Sequence, residues 1–289
     1  ELNEGKLPAE GAKEPRVRAA LIRLLALEAT SLHEKGVWLE GAVITGDLDL
    51  RFARCRGRLA LHHCRIAGAP MMAQSELAQL SFKGSHLPGV FAQGARVTGG
   101  LFLRDVTVTG TVDVTGAQIG GQFLCTGATL SGGGGDALNG QSLRVEGAFL
   151  FRQVEAVTGW VDLTSAEVRD LADDAESWRK CSDLILDGFT YERIAGDTSP
   201  KTFAARKAWL ESGSRFEGEF RPQPYTQFAK VMRAAGHVAE ARKALVERDR
   251  LLFAEAEKAD RAALELALSG DQAARADGGR IWLRLQGRR

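Results

Sequence analysis

Pairs of apolar or small residues separated by one position recur along most of this chain. Successive pairs begin alternately five and six residues apart. Val37/Leu39, Ala42/Ile44, Leu48/Leu50, Ala53/Cys55, Leu59/Leu61 and Cys64/Ile66 open the series. It continues through Leu101/Leu103, Val106/Val108, Val112/Val114 and Ala117/Ile119, and closes at Leu184/Leu186 and Phe189/Tyr191. A spacing of two places both members on one face of an extended segment. The residues between pairs are enough for a turn and no more. Hairpin strands run longer, and an amphipathic helix needs spacings of three and four. The pattern therefore predicts a mainly β fold, a right-handed parallel β-helix. Its sides number four, with coils of about 22 residues, and a three-sided helix is the alternative. Roughly six coils cover 37–191, and each buries its pairs only by stacking on its neighbours.

Three regions follow from this. Residues 1–36 form an N-terminal helical cap: Val17, Leu21, Leu24, Leu25 and Leu27 recur at helical intervals, and Gly36 reads as the stop. Residues 37–194 are the β-helix. Residues 195–289 are a C-terminal helical region, with Ser199 as a cap before Pro200 and a helical hairpin broken at Gly236-His237. Tyr225, Phe228, Ala229, Met232, Ala239, Ala241 and Leu245 would form the hairpin's seam. Two segments interrupt the count. "SGGGGDALNG" (131–140) reads as a loop leaving the solenoid, and "DLADDAESWRKCSD" (170–183) as a helical turn bulging from a corner.

The middle residue of each pair faces outward. One face reads Trp38, Ala60, Ser81, Phe102, Leu124, Leu150 and Ile185, and it alone is apolar along most of its length. A continuous exposed apolar stripe is unusual. Trp38, Phe102, Leu124, Leu150 and Ile185 are thus the candidate interaction stripe, covered by the chain's own C-terminal helices or by a second subunit. A second candidate is the basic run Arg51, Arg54, Arg56, Arg58 and Arg65 on the first coils. It could meet anionic lipid or nucleic acid, but it lacks the interleaved aromatics that stack on single strands.

The unit resembles that of the pentapeptide-repeat proteins, A-(D/N)-L-x-x, matched loosely by "AQIGG" (117–121) and "ATLSG" (128–132). The solenoid followed by "LDGFTYERI" (186–194) and "FRPQPYTQFAKVMRAAGHVAEAR" (220–242) resembles an uncharacterised bacterial group labelled membrane-associated oxidoreductases. That resemblance implies a membrane anchor beyond Arg289, preceded by the basic stretch "GRIWLRLQGRR" (279–289). It also implies a cytoplasmic protein at the inner face of the membrane.

The chemistry such a label requires is missing from the sequence. There is no GxGxxG opening a helix after a strand, no redox CxxC and no haem or iron–sulfur spacing. Neither a GxSxG elbow nor an HExxH motif occurs. Cys55 and Cys64 fall on inward positions, where free cysteine acts as a small hydrophobe; beside His62 and His63 they would not converge as zinc ligands do. No catalytic, cofactor-binding or metal residue is assigned, and no cofactor is expected. A net charge of +1 argues against a nucleic-acid partner and against a DNA-mimicking solenoid. The expectation is a non-catalytic binding or assembly scaffold that uses solenoid faces for protein interaction or self-association. The alternative is an enzyme acting on an extended polymer laid along one face.

Overall fold

Most strands in this chain are only two or three residues long, too short to persist without neighbours on both sides. Leu101–Phe102, Thr107–Val108 and Val112–Asp113 are three successive examples. Leu101 pairs in parallel with Leu80 one coil before and with Phe123 one coil after. The computed structural model describes residues 15–28 and 36–276. Its body is a parallel-strand β-solenoid of about seven turns, accompanied by a few helices.

Pairing runs along four ladders. One is Trp38, Ala60, Ser81, Phe102, Leu124, Leu150, Ala172 and Ala195. A second is Arg54, Glu76, Arg96, Gln118, Arg144, Glu167 and Thr190. A third begins Val43, Arg65, His86, Thr107, Thr129 and Ala156. The fourth is Asp49, Met71, Phe91, Asp113, Asn139, Asp162 and Ile185. The flanking pair members point inward and form one continuous core; Leu48, Leu50, Leu101, Leu103, Val112 and Val114 are all buried.

The corners are as repetitive as the ladders. Phe52, Gln74, Gly94, Gly116, Ser142, Ser165 and Gly188 all have positive φ, one per coil, and a second such row holds Gly41, His63, Gly84, Asp105, Gly127 and Gln153. In the first row the following N–H closes a four-residue turn, as in Ala53 N to Leu50 O and Ala117 N to Val114 O. A left-handed third residue is the signature of a type II turn. An Asp or Asn three positions before the left-handed residue often braces it. Asp49, Asp113, Asn139 and Asp162 each accept the N–H two residues on, the Asx bond that favours turns. Corners of adjacent coils also interlock: a Cβ on Gly127 would lie 2.1 Å from the Asp105 carboxylate, and one on Gly84 would lie 2.5 Å from the His63 ring.

Two coils depart from the regular count: the first does not leave the wall as the sequence suggests, and the second forms the expected helical turn but packs inward. The glycine-rich segment stays in the wall. Thr129–Asn139 is one long strand paired with Ala156–Asp162, with register shifts between Ser131 and Leu138. Gly132 and Gly159 both press on the Gly135 carbonyl, where no side chain fits. The second interruption turns inward. Helix α2 (a helix α1 precedes it at Ala19–Glu28) spans Ala175–Arg179 and buries Trp178, whose ring stacks on Phe151 at 4.3 Å. Its side chains replace the missing strand: Gln153 N and Val154 N donate to Asp174 and Ser177, and Lys180 Nζ donates to Val154 O.

At the N-terminal end, residues 16–18 are a strand, not helix. Arg16–Arg18 pairs with Val43–Thr45 and adds a turn to the expected six. Helix α1 then buries Ala19, Ile22 and Ala26, whereas Leu21 and Leu24 face out. Gly36 is the first residue of strand Gly36–Glu40. The basic stretch 279–289 lies outside the described residues.

At the C-terminal end follow α3 (Phe203–Gly213), α4 (Gln223–Ala234) and α5 (Val238–Ala276). Thr202, not Ser199, caps α3. Ser199 is buried, donating to Asp173 O and accepting from Asp173 N. In the α4–α5 seam Ala244 takes the buried position expected of Ala239. The open edge of the last coil is closed by polar groups of the helices. Leu186 N donates to Gly213 O, Gly188 N donates to Gln223 Oε1, and Gln223 and Gln227 donate to the carbonyls of Phe189 and Tyr191. Beneath them Arg206 of α3 forms a two-pronged ion pair with Asp173, both side chains almost wholly inaccessible. Asp173 also accepts from Trp178 Nε1 at 2.6 Å, and the Arg206 guanidinium lies over Trp209.

Two outcomes follow. Gly127→Ala strains a left-handed corner and collides with Asp105, so urea denaturation should register a loss of about 1–3 kcal/mol. Arg206→Met leaves the Asp173 carboxylate buried and unpaired, at a cost of about 3–5 kcal/mol. The double variant Asp173→Leu/Arg206→Met should recover part of that loss in the same titration, because it removes the orphaned charge as well.

Candidate functional site: a groove between a charged ladder and helix α4

The stripe is present, with one member misplaced. Ile185 pairs with Asp162 in the other sheet; Ala172 and Ala195 continue the face that holds Trp38, Phe102, Leu124 and Leu150. The cause is α2, which takes one strand's place in its coil and shifts the next pair to another ladder. Leu124 and Leu150 are only 5% and 8% exposed, and they cluster with Phe102, Ala148, Ala172 and Ala195. Apolar side chains of the C-terminal helices, such as Leu210 and Phe228, belong instead to the interior core. The stripe residues pack on one another, and Trp38, half exposed, lies at the end of the row.

The basic run separates onto different rows. Arg51 is bound twice by the Asp49 carboxylate, which it holds down to about 2. Arg54 pairs with Glu76 at 2.9 Å, and the Arg58 guanidinium lies 4.7 Å from the Trp38 ring centre. Arg65 meets His86 on the Val43 ladder, and Arg56 lies in a shallow groove with Ala78 and Thr98. The four cysteines are free thiols. Burial raises Cys64 to about 11 and Cys181 to about 12. His62 bonds Ser81 Oγ at 2.8 Å, and burial lowers its pKa. Among the described residues no group of three or more His, Cys, Asp or Glu could hold a metal ion, and no helix is long and apolar enough to cross a membrane.

A different surface has the form of a binding site. The glutamines that close the last coil hold α4 beside the end of the Arg54 ladder. Between them lies a groove of about 760 Å³. Its solenoid wall has two outward rows. One carries Gln118, Arg144, Glu167 and Thr190; the other carries Glu146, Arg169 and Glu192. The strand backbone at Ile119, Val145, Val168 and Tyr191, whose side chains point into the core, forms the floor between them. Lys230, Val231 and Ala234 of α4 form the opposite wall.

Charge alternates along and across the rows. Arg144 meets Glu167 at 3.4 Å, and both are mostly exposed. Arg169 lies 3.8 Å from Asp170, whose carboxylate is already held doubly by Arg193. The side chains of Glu146, Glu192 and Lys230 make no hydrogen bond or ion pair among the described residues. The Tyr191 hydroxyl is buried without a partner, and burial raises its pKa. The sequence shows the alternating ladder, but nothing local in it sets α4 against that ladder. The Gln223 and Gln227 contacts do so, together with the buried α4 face of Phe228, Ala229, Val231 and Met232, which packs in the same core as Phe189 and Tyr191.

Because the stripe is internally packed, Leu150→Glu should lower the melting temperature while leaving the mass measured by light scattering unchanged. A shift in mass with no loss of stability would mean that the stripe is a subunit interface. No protein-family model matches the chain, and no curated protein matches it.

Proposed function

We propose that this chain is a non-catalytic binding scaffold that receives an extended segment of a partner polypeptide in the groove beside α4. The observation that carries this reading is the groove itself. It has a floor of strand backbone, an α-helical wall that carries Val231 and Ala234, and three cations (Arg144, Arg169, Lys230) with three carboxylates (Glu146, Glu167, Glu192). Its ladder row spans four coils, roughly 14 Å at the usual strand spacing, enough for four or five extended residues. Mixed charge of this kind favours register and specificity more than affinity. Kinship with the pentapeptide-repeat class and a place near a membrane belong to the same reading. The first rests on the pentads at 117–132, the second on the basic stretch 279–289.

A displayed library of unstructured peptides, selected on the whole chain, tests this. Selected peptides should bind at least tenfold more weakly to Ala234→Trp, which fills the groove, and to Arg144→Glu/Lys230→Glu, which inverts its cationic side. Binding that both variants leave unchanged would place the partner surface elsewhere, and a selection that yields no binder would remove the groove reading.

A further inference from the structure

A second concave site lies on the other sheet, away from α4. On three successive coils one outward row carries Asp136, Trp160 and Asp183, with Trp160 in register with both acids. The indole is 43% exposed, unusual for a tryptophan in the wall of a core. It borders a cavity of about 250 Å³. The far side of that cavity is the hairpin joining Arg215–Phe216 to Glu219–Phe220, whose turn residues Glu217 and Gly218 both have positive φ.

The charges around the indole are unequal. The side chains of Asp136, Asp183 and Glu217 make no hydrogen bond or ion pair among the described residues. The nearest cation in the cavity, Arg215, is held by Glu255 on α5 at 3.0 Å. Asp162, on the neighbouring Asp49 ladder, is occupied by Gln141 and Thr164. An exposed indole face flanked by three unpaired carboxylates attracts a cation, through the ring quadrupole and through charge. The cavity is large enough for one long side chain and too small for a folded element.

We propose that the Trp160 notch is a docking site for a single arginine or lysine side chain of a partner polypeptide. The indole takes the cation's face or stem. Asp183 and Glu217 take its N–H groups, and Asp136 adds charge from the adjacent coil. The site shares no residue with the groove beside α4, so it stands or falls separately from the proposed function.

The test follows the indole N–H signal of Trp160 by heteronuclear NMR on the whole chain, identified as the signal missing from Trp160→Phe. Acetyl-Gly-Arg-Gly-amide and its lysine counterpart should shift that signal saturably in the millimolar range, leaving the Trp178 and Trp209 signals in place. The citrulline counterpart, isosteric with arginine but neutral, should bind at least tenfold more weakly. Asp183→Asn/Glu217→Gln should weaken the arginine peptide at least tenfold while the other indole signals keep their positions. Equal binding of the citrulline peptide would overturn the cation assignment, as would a double variant that binds normally. Absence of any saturable shift would overturn the site. Free guanidinium ion matching the peptide's affinity would make the notch a small-cation site and overturn the polypeptide assignment.

Discussion

One coil of this solenoid cannot exist alone. Its two- and three-residue strands find their hydrogen bonds only on the coils before and after, and its inward leucines and valines find water unless those coils are present. The stacking also imposes a condition on the corners. Each turn must redirect the chain in the same place on every coil, within a few residues. The two rows of left-handed residues meet that condition. At Gly84 and Gly127 the polar side chain of the preceding coil, His63 or Asp105, leans over the corner. Where it is Phe52 or Ser165, the Asx bond from Asp49 or Asp162 offsets part of the conformational cost.

Stacking creates a problem at each end, where the last strand has unpaired backbone and an open core. At the C-terminal end two kinds of interaction answer it. The Asp173–Arg206 pair fixes α3 over a row of aromatic rings, and its burial is tolerated because both carboxylate oxygens and three guanidinium N–H groups are hydrogen-bonded. The amides of Gln223 and Gln227 then stand in for a further strand. Closing the edge in this way sets α4 at a fixed height along the Arg54 ladder. The groove is therefore a consequence of the cap: a helix laid beside a flat ladder leaves a channel between its cylinder and the wall.

The period of two within eleven contained the architecture, because inward residues must be apolar whatever the partner or purpose. Face membership was legible up to the point where counting failed. Through Leu150 each member of the apolar face sits on its anticipated ladder. Beyond α2, Ile185 does not, since a helix of five residues replaces one strand and the spacing no longer reports the side. Val17 falls on a helical interval, yet Arg16–Arg18 is a strand too short to show alternation. The spacing of Leu21 and Leu24 marks a helix but does not report which of its sides is covered. The basic run at 51–65 looked continuous in sequence, yet a solenoid distributes neighbours in sequence over different faces and brings together residues about 22 apart. Arg54 finds Glu76 and Arg144 finds Glu167 by that rule.

The same rule bears on how such a surface recognises anything. When charges one coil apart neutralise each other, a long face presents little net field, and the whole chain, at +1, adds little more. Long-range steering then contributes weakly to association. Selectivity falls to places where the compensation is interrupted. Lys230 interrupts it because its helix approaches from outside the ladder. The row at Trp160 interrupts it because an indole occupies the position between Asp136 and Asp183 where a basic residue would neutralise them. Both interruptions lie where the regular coil count is disturbed, by the glycine-rich insertion on one sheet and by the terminal cap on the other. In a repeat fold the uniform coils supply stability, and the irregular ones are where distinct chemistry can be placed.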